Sequence, residues 1–452
     1  MHRLRSTEAT GGPEALPLLT RGWGERIAWF DGRAVTTQHY LHHVRDAMHA
    51  LPEAPAVLNL CEDRYRFLVG LGAALARGIP TLLPPNPLEA TLAEVQRAWP
   101  DSVVLSDASL TCALLPPEPL RGMPPPEMPL IRGDTLAAVL FTSGSTGSSQ
   151  PHRKSWAALS AGARRNLRPY VGTAEGPVAI VATVPPQHMY GFEATVMLPL
   201  CGEAAAHGAR PFFPADVVAA LAEVPPPRLL VSTPVHLSAL IRSGLEFPPL
   251  ARVISATAPL DAALAASVEQ QCGTELVEIY GCTEVGSMAS RRASRAERWR
   301  FFDGLEVSVH GESASVSTAH VPAPFCLPDV LDFHTDGSFD LVGRTADLIK
   351  VGGKRGSLAD VVRALLAVPG VVDAVAFRPE GTDDAARIAA LYVSDSVDVP
   401  SVRAALRRAL DPVFVPRPIH RVTALPRSAN GKLPRAAVLE LYRDTLAANR
   451  GG

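Results

Sequence analysis

Phe141-Thr142-Ser143-Gly144-Ser145-Thr146-Gly147 follows directly on the apolar run Leu136–Leu140. A strand that runs into a loop of glycines and small hydroxyl residues suits phosphate binding. Glycines let backbone N–H groups approach the oxyanions, and Ser and Thr hydroxyls add donors without bulk. An ordinary Gly/Ser linker is the plainer alternative, but linkers seldom join a buried strand to a helix, which is where the pattern predicts this loop to lie. A Walker A loop is excluded by spacing. No G-x-x-x-x-G-K-[ST] occurs, and Val351-Gly352-Gly353-Lys354-Arg355 is not one.

Outward from the loop, short apolar runs alternate with longer Ala/Leu-rich stretches at helical spacing. Leu136–Phe141, Val178–Val184, Leu229–Ser232, Val253–Ser255 and Leu276–Ile279 read as buried strands. Trp156–Leu167, Asp216–Ala222, Val235–Ile241 and Ala262–Gln271 read as helices between them. This alternation predicts an α/β fold with mainly parallel sheets flanked by helices. Leu115–Pro129 and Pro225–Pro227 read as outer loops. The last hundred or so residues change character, with helices at Leu358–Leu366, Val402–Leu410 and Ala436–Ala447 and strands at Val371–Phe377 and Ile388–Val393. A large N-terminal domain, 1–344, and a small mobile α+β C-terminal domain, 345–452, are therefore expected, with the boundary near Gly343–Asp347.

The 452 residues are 47% hydrophobic and 19% charged, which marks a globular chain. A formal net charge of −2 offers no basic excess for a phosphate backbone, so nucleic acid is not an expected partner. Cys61, Cys112, Cys201, Cys272, Cys282 and Cys326 form no C-x-x-C pair and read as buried thiols in a reducing compartment. Met1–Gly12 has no apolar h-region, and Phe67–Pro85 reads as a buried helix, a turn and a short strand rather than a membrane span. A cytoplasmic protein without membrane insertion is the expectation. His39, His42 and His43 have the spacing to touch one metal on a helix, but lack a carboxylate or cysteine partner; a plain surface helix is the favoured reading.

Two further segments carry chemistry. Ile279-Tyr280-Gly281-Cys282-Thr283-Glu284 again follows an apolar strand. A Tyr ring can stack on a base, Thr can bond a phosphate oxygen, and Glu offers a hard oxygen to Mg²⁺. Pro426-Arg427-Ser428-Ala429-Asn430-Gly431-Lys432-Leu433-Pro434-Arg435 puts a lysine on a tight turn near the C-terminus. Taken singly, a strand-ending turn and a solvated lysine are adequate explanations. In this order and spacing, the three segments resemble the superfamily of adenylate-forming enzymes: acyl-CoA synthetases, luciferases and the adenylation domains of peptide synthetases. The resemblance runs from about Val57 to the end of the chain.

It implies that Thr142, Ser143, Gly144, Ser145, Thr146 and Gly147 cradle the ATP phosphates, that Tyr280 stacks on adenine, and that Thr283 contacts the α-phosphate. Glu284 would help hold Mg²⁺, and Thr257, Ala258 and Pro259 would lie with Gly281 against the nucleotide. Asp329 stands where the family keeps a carboxylate for both ribose hydroxyls, in Leu327-Pro328-Asp329 rather than T-G-D, and Arg344 would add a cationic contact. His188 and Gly191, in Pro185–Gly191, resemble the loop that gates the acyl pocket, with Thr233 and Gly281 as further lining. Lys432 would bridge the incoming carboxylate and the α-phosphate, and an unperturbed lysine pKa of roughly 10.4 keeps it charged at neutral pH.

Two departures stand out. The phosphate loop usually continues as G-x-P-K but runs here as Gly147-Ser148-Ser149-Gln150-Pro151-His152-Arg153-Lys154, which displaces the loop lysine. The hinge position, usually Asp or Lys, is Ala346, followed by Asp347. The implied reaction is ATP-dependent activation of a carboxylic acid, aromatic and hydroxybenzoate-like, to acyl-AMP with release of pyrophosphate. The acyl group would then pass to a phosphopantetheine thiol, with Lys350–Arg355 facing the main domain in that step. Lys-Val-x-Gly-Lys-Arg followed by Ser357 resembles stand-alone ligases that load aryl or acyl groups onto a separate acyl carrier protein. Free coenzyme A is the alternative acceptor. A non-catalytic nucleotide-binding regulatory module is the alternative from another class, against which Glu284, Asp329 and Lys432 argue.

Overall fold

The computed structural model describes residues 14–110, 126–143, 149–310, 313–318, 321, 323–344, 348–351, 354–379, 388–427 and 433–450. The fold is α/β with mainly parallel sheets. The described residues cluster into two compact units. One holds those up to Val231 with Leu245–Arg252 and Cys282–Ser287, and the other holds Ser232–Gly244, Val253–Gly281 and the chain from Met288.

The first unit contains a five-stranded sheet in the order Val103–Leu105, Val57–Asn59, Thr81–Leu83, Leu136–Ser143, Ser149–Ser155. Every pairing in it is parallel except the last, an antiparallel hairpin. Val57, Leu58, Leu82 and Val139 are fully buried, as expected of parallel strands covered on both faces. In a second array, Val178–Ala182 pairs in parallel with both Arg228–Ser232 and Ala204–His207, and Ala204–His207 with Arg26–Phe30. Helix Arg64–Ala76 starts where the Asp63 carboxylate accepts from the Arg66 amide at 2.9 Å. Its Phe67, Leu68 and Leu71 lie in the unit's largest apolar cluster. Helix Trp156–Val171 is capped by the Ser155 hydroxyl and closes at Gly172.

The hairpin corrects one expectation. The loop after Ser143 leads into the strand Ser149–Ser155, not directly into a helix; the helix begins one strand later, at Trp156.

In the second unit Val253, Ile254 and Ser255 pair in parallel with Leu276, Val277 and Glu278, and Ala289 and Ser290 pair antiparallel with Phe301 and Arg300. Helix Ala262–Cys272 is capped by Asp261, which accepts from the Ala263 and Leu264 amides, and ends at Gly273 in the left-handed conformation. Further on, Asp373–Phe377, Ala389–Val393 and Ile419–Val422 form a three-stranded sheet. Its apolar side packs with helices Leu358–Leu366 and Val399–Ala409 in a cluster drawn wholly from residues beyond Leu348.

Of the cysteines, Cys61 and Cys201 are buried, Cys272 and Cys282 half-buried, and Cys326 exposed, which corrects the expectation of uniformly buried thiols. Cys112 lies outside the described residues. The expected surface helix with three histidines is Thr37–Ala50: His39 bonds Thr36 and His43 bonds the Tyr65 hydroxyl. Buried His42 lies on the inner face, so that helix is not a plain surface one. Among the described residues no helix is long and apolar enough to cross a membrane.

Candidate active site

In the second unit, the strand Leu276–Cys282 brings Tyr280 up against Trp299 and Phe339, with ring centroids 5.8 and 6.2 Å away and edges meeting faces. The Tyr280 hydroxyl donates to Asp329 Oδ2 at 2.7 Å. Two residues 49 positions apart, expected to meet one adenosine, are therefore in direct contact. Asp329 opens the strand Asp329–Phe333, whose antiparallel register sets it opposite Arg344. Gly281 is exposed.

Two positions before Tyr280, the buried Glu278 accepts from the Leu260 amide at 2.9 Å and from Arg291 Nε at 2.7 Å. Burial pushes the Glu278 carboxyl up, and Arg291 opposes that shift. Arg291 lies over the Trp299 ring at 4.7 Å. A continuous set of contacts thus runs from Leu260, through Glu278, Arg291 and Trp299, to Tyr280 and Asp329. Thr257, three residues before Leu260, has φ +80, an outlier for a β-branched residue. Its hydroxyl is buried without a partner. Ala258 is half-buried and Pro259 exposed beside it. Thr233, expected in the acyl pocket, is buried and bonds His236 at 2.9 Å.

In the first unit, Thr142 Oγ1 and His152 Nε2 lie 2.9 Å apart across the hairpin, and His152 Nδ1 stands 3.7 Å from Glu284 Oε1. Burial lowers the His152 pKa; Glu284 opposes this and Lys154 adds to it. Lys154, 8% exposed, donates to the main-chain carbonyl of Glu284. Thr283 and Glu284 are half-buried. Burial, with Glu284 adding, pushes the Cys282 thiol up to about 12, so it stays protonated at neutral pH and is no nucleophile. His188 precedes the short helix Met189–Phe192. Gly191 is fixed by a close approach: a Cβ there would sit 2.0 Å from the Pro185 carbonyl oxygen. Ser143 ends its strand. Gly144–Gly147, Ala346 and Lys432 lie outside the described residues.

Residues 46–341 match the AMP-binding enzyme family. The chain belongs to that family. Two 4-coumarate–CoA ligases are similar to this AMP-binding enzyme. That of Rhodobacter capsulatus is 32% identical over 302 residues, 67% of this chain and 76% of the relative. That of Halorhodospira halophila is 32% identical over 310 residues, 66% and 75% of the two chains. Among solved structures, ATP-bound MatB from Rhodopseudomonas palustris superposes with a TM-score of 0.76 at 19% identity, covering 93% of this chain and 96% of that one, a likeness of fold. This AMP-binding enzyme is an adenylate-forming acid–thiol ligase acting on a small carboxylic acid.

Glu193, Glu278 and His152 are the residues around these sites to which motif reading gave no role; Lys154 it marked only as the displaced loop lysine. One signal stood in the sequence. Glu193 is the lone charge in the apolar run Gly191–Cys201, and a lone acid in such a run needs a buried partner.

Proposed function

We propose that this AMP-binding enzyme activates an aromatic, hydroxybenzoate-like acid as its acyl-AMP, expelling pyrophosphate, and hands the acyl group to a phosphopantetheine thiol. The observation that carries the reading is the 2.7 Å hydrogen bond from Tyr280 to Asp329, which couples the residue proposed for adenine to the one proposed for ribose. The partnerless buried hydroxyl of Thr257 fits a nucleotide, since such a group is costly unless a ligand satisfies it. The half-buried Glu284 carboxylate, with about four lone-pair sites, fits a hard cation. The aromatic substrate rests on the two relatives named as 4-coumarate–CoA ligases.

In this reading the acid's carboxylate attacks the α-phosphorus in line, so two anions must meet. Backbone and hydroxyl donors of Thr142–Gly147 receive the triphosphate, and Thr283 contacts the α-phosphate. Donors fixed beforehand need no reorganisation during reaction. Mg²⁺, when bound through Glu284, offsets phosphate charge. Lys432, carried by a lid formed from 345–452, neutralises the approach electrostatically. His188, Gly191, Thr233 and Gly281 line the acid's site, and Ala258, Pro259 and Arg344 complete the nucleotide's. After adenylation the lid withdraws Lys432, Lys350–Arg355 takes its place, and the thiol displaces AMP.

The names of the relatives favour free coenzyme A as acceptor; the Lys350–Ser357 resemblance favours a separate acyl carrier protein. ATP–pyrophosphate exchange over a panel of benzoates, cinnamates and fatty acids tests the first step, and no exchange with any acid overturns it. Lys432→Ala is expected to abolish exchange but spare thiol acylation from presynthesised acyl-AMP. Equal loss of both refutes its role. Presenting coenzyme A and a phosphopantetheinylated carrier in parallel decides the acceptor.

A further inference from the structure

A buried lysine and a buried acid grip the Cys282–Ser287 turn, the one at Glu284 and the other at Ser287. Lys154 donates its ammonium N–H to the Glu284 carbonyl. Glu193, 3% exposed, accepts through Oε2 from the Ser287 amide at 2.9 Å and the Ser287 hydroxyl at 2.7 Å. Between these anchors Gly286 takes φ +93, and a Cβ there would lie 2.3 Å from Glu193 Oε1, so a bare α-carbon is what admits the carboxylate. Helix Trp156–Val171 locks the same end: Tyr170 and Ser287 hydroxyls are 3.0 Å apart, and Arg165 donates to the Ser287 carbonyl at 3.1 Å. Glu193 itself opens a π-helical segment, Glu193–Met197, five residues after His188. Such segments are rare and frequent at functional sites.

This arrangement engages the displaced lysine with the main chain of the turn. Its ammonium faces a main-chain carbonyl in a nearly closed environment, and the largest opposing charge acting on it is that of Glu193. We propose that Lys154 and Glu193 are positioning residues that together set the pose of the turn bearing Thr283 and Glu284, and that Lys154 is not a phosphate contact. The proposal rests on the adenylate-forming reading of that turn.

Equilibrium titration of the full chain with AMP, and separately with ATP plus Mg²⁺, distinguishes the two employments. A β/γ-phosphate contact affects ATP alone. A misplaced turn affects both nucleotides, because Thr283 is proposed to meet the α-phosphate they share. Lys154→Met and Glu193→Gln are each expected to weaken both by a similar factor, roughly 10–100-fold, the equivalent of losing one charge-assisted hydrogen bond. The double variant is expected to be little worse than the worse single one, since the two residues serve one turn. Lys154→Arg, which retains a donor, is expected to recover most of the loss. Weakening of ATP with AMP unchanged in Lys154→Met, or full additivity in the double variant, overturns the proposal. Where Lys154→Met does not fold, Ser287→Ala, which removes only the hydroxyl that Glu193 accepts from, keeps the test alive. Unchanged binding of both nucleotides in folded Ser287→Ala and Glu193→Gln also overturns it. Failure of the wild-type chain to bind either nucleotide defeats instead the reading of the turn as an adenylate site.

Discussion

Thr257 concentrates two penalties at one position, and replacing it separates stability from binding. Its positive φ is worth roughly 1–3 kcal/mol of strain for a non-glycine residue. Its buried, unpartnered hydroxyl adds about 1–3 kcal/mol of lost hydration. Thr257→Val keeps the branch and the strain but removes the hydroxyl, so a gain of about 1 kcal/mol or more is expected. Thr257→Gly removes both penalties, but returns roughly 0.5–1 kcal/mol to the unfolded chain's freedom and about 1 kcal/mol of methyl burial. Its net gain is about 0–4.5 kcal/mol by the same terms. If the hydroxyl meets nucleotide, each variant weakens ATP and AMP by ~3–10-fold, one neutral hydrogen bond's worth. Urea unfolding of the three proteins and nucleotide titration of each supply both readouts. Stability and affinity must move in opposite directions. If both variants lose stability and bind nucleotide as the parent does, Thr257 is an ordinary packed residue and the argument from strain is wrong.

Tyr280→Phe deletes the donor to Asp329 while keeping the ring; AMP affinity is expected to fall roughly tenfold, consistent with one bond to a charged group, and an unchanged titration refutes the coupling. Burial alone would raise the Glu269 carboxyl pKa, but hydrogen bonds from Arg292, the Leu276 amide and Ser294 outweigh it and hold it low. Glu269 therefore contributes stability above the ordinary glutamate pKa of about 4.3, lost as pH falls through the lower folded value. Glu269→Gln should flatten that acid limb of the stability curve, and a limb of unaltered slope contradicts the assignment. Asp373 receives both Nε and a terminal nitrogen of Arg427 at 2.7 and 2.6 Å, five residues before Lys432. Asp373→Asn should slow adenylation while leaving the ATP Kd in place. An ATP Kd that shifts with the rate shows that the pair does not act through Lys432.

The parallel strands were legible because burial on both faces leaves a continuous apolar run, as in Val178–Ala182 and Val253–Ser255. Helix starts were legible where Asp63, Ser155 and Asp261 cap them. Ser149–Ser155 was not. Its Ser-Gln-Pro-His-Arg-Lys-Ser reads as loop, yet it is the edge strand of its sheet. Edge strands carry polar side chains and tolerate proline, here Pro151, because one side of the ladder has no strand partner. The period-2 apolar signal fails there for that reason.

The same distinction separates the parts of the site. Tyr280 and Asp329 stood out because the resemblance assigns both to adenosine, a ligand whose chemistry would dictate residue type. Glu193 belongs to no such motif and Lys154 stands off the usual place of one: their partners lie 94 and 130 positions away, and only the folded backbone brings them to one turn. A ligand constrains the groups that touch it, whereas a brace need only supply charge and reach from whatever element passes beneath. The loop lysine could therefore leave its usual place without the turn losing its support, provided a buried cation re-entered from the edge strand and a buried anion held the other end. Changes along Ser149–Ser155 should thus register at Glu284, although no residue of that strand need touch nucleotide.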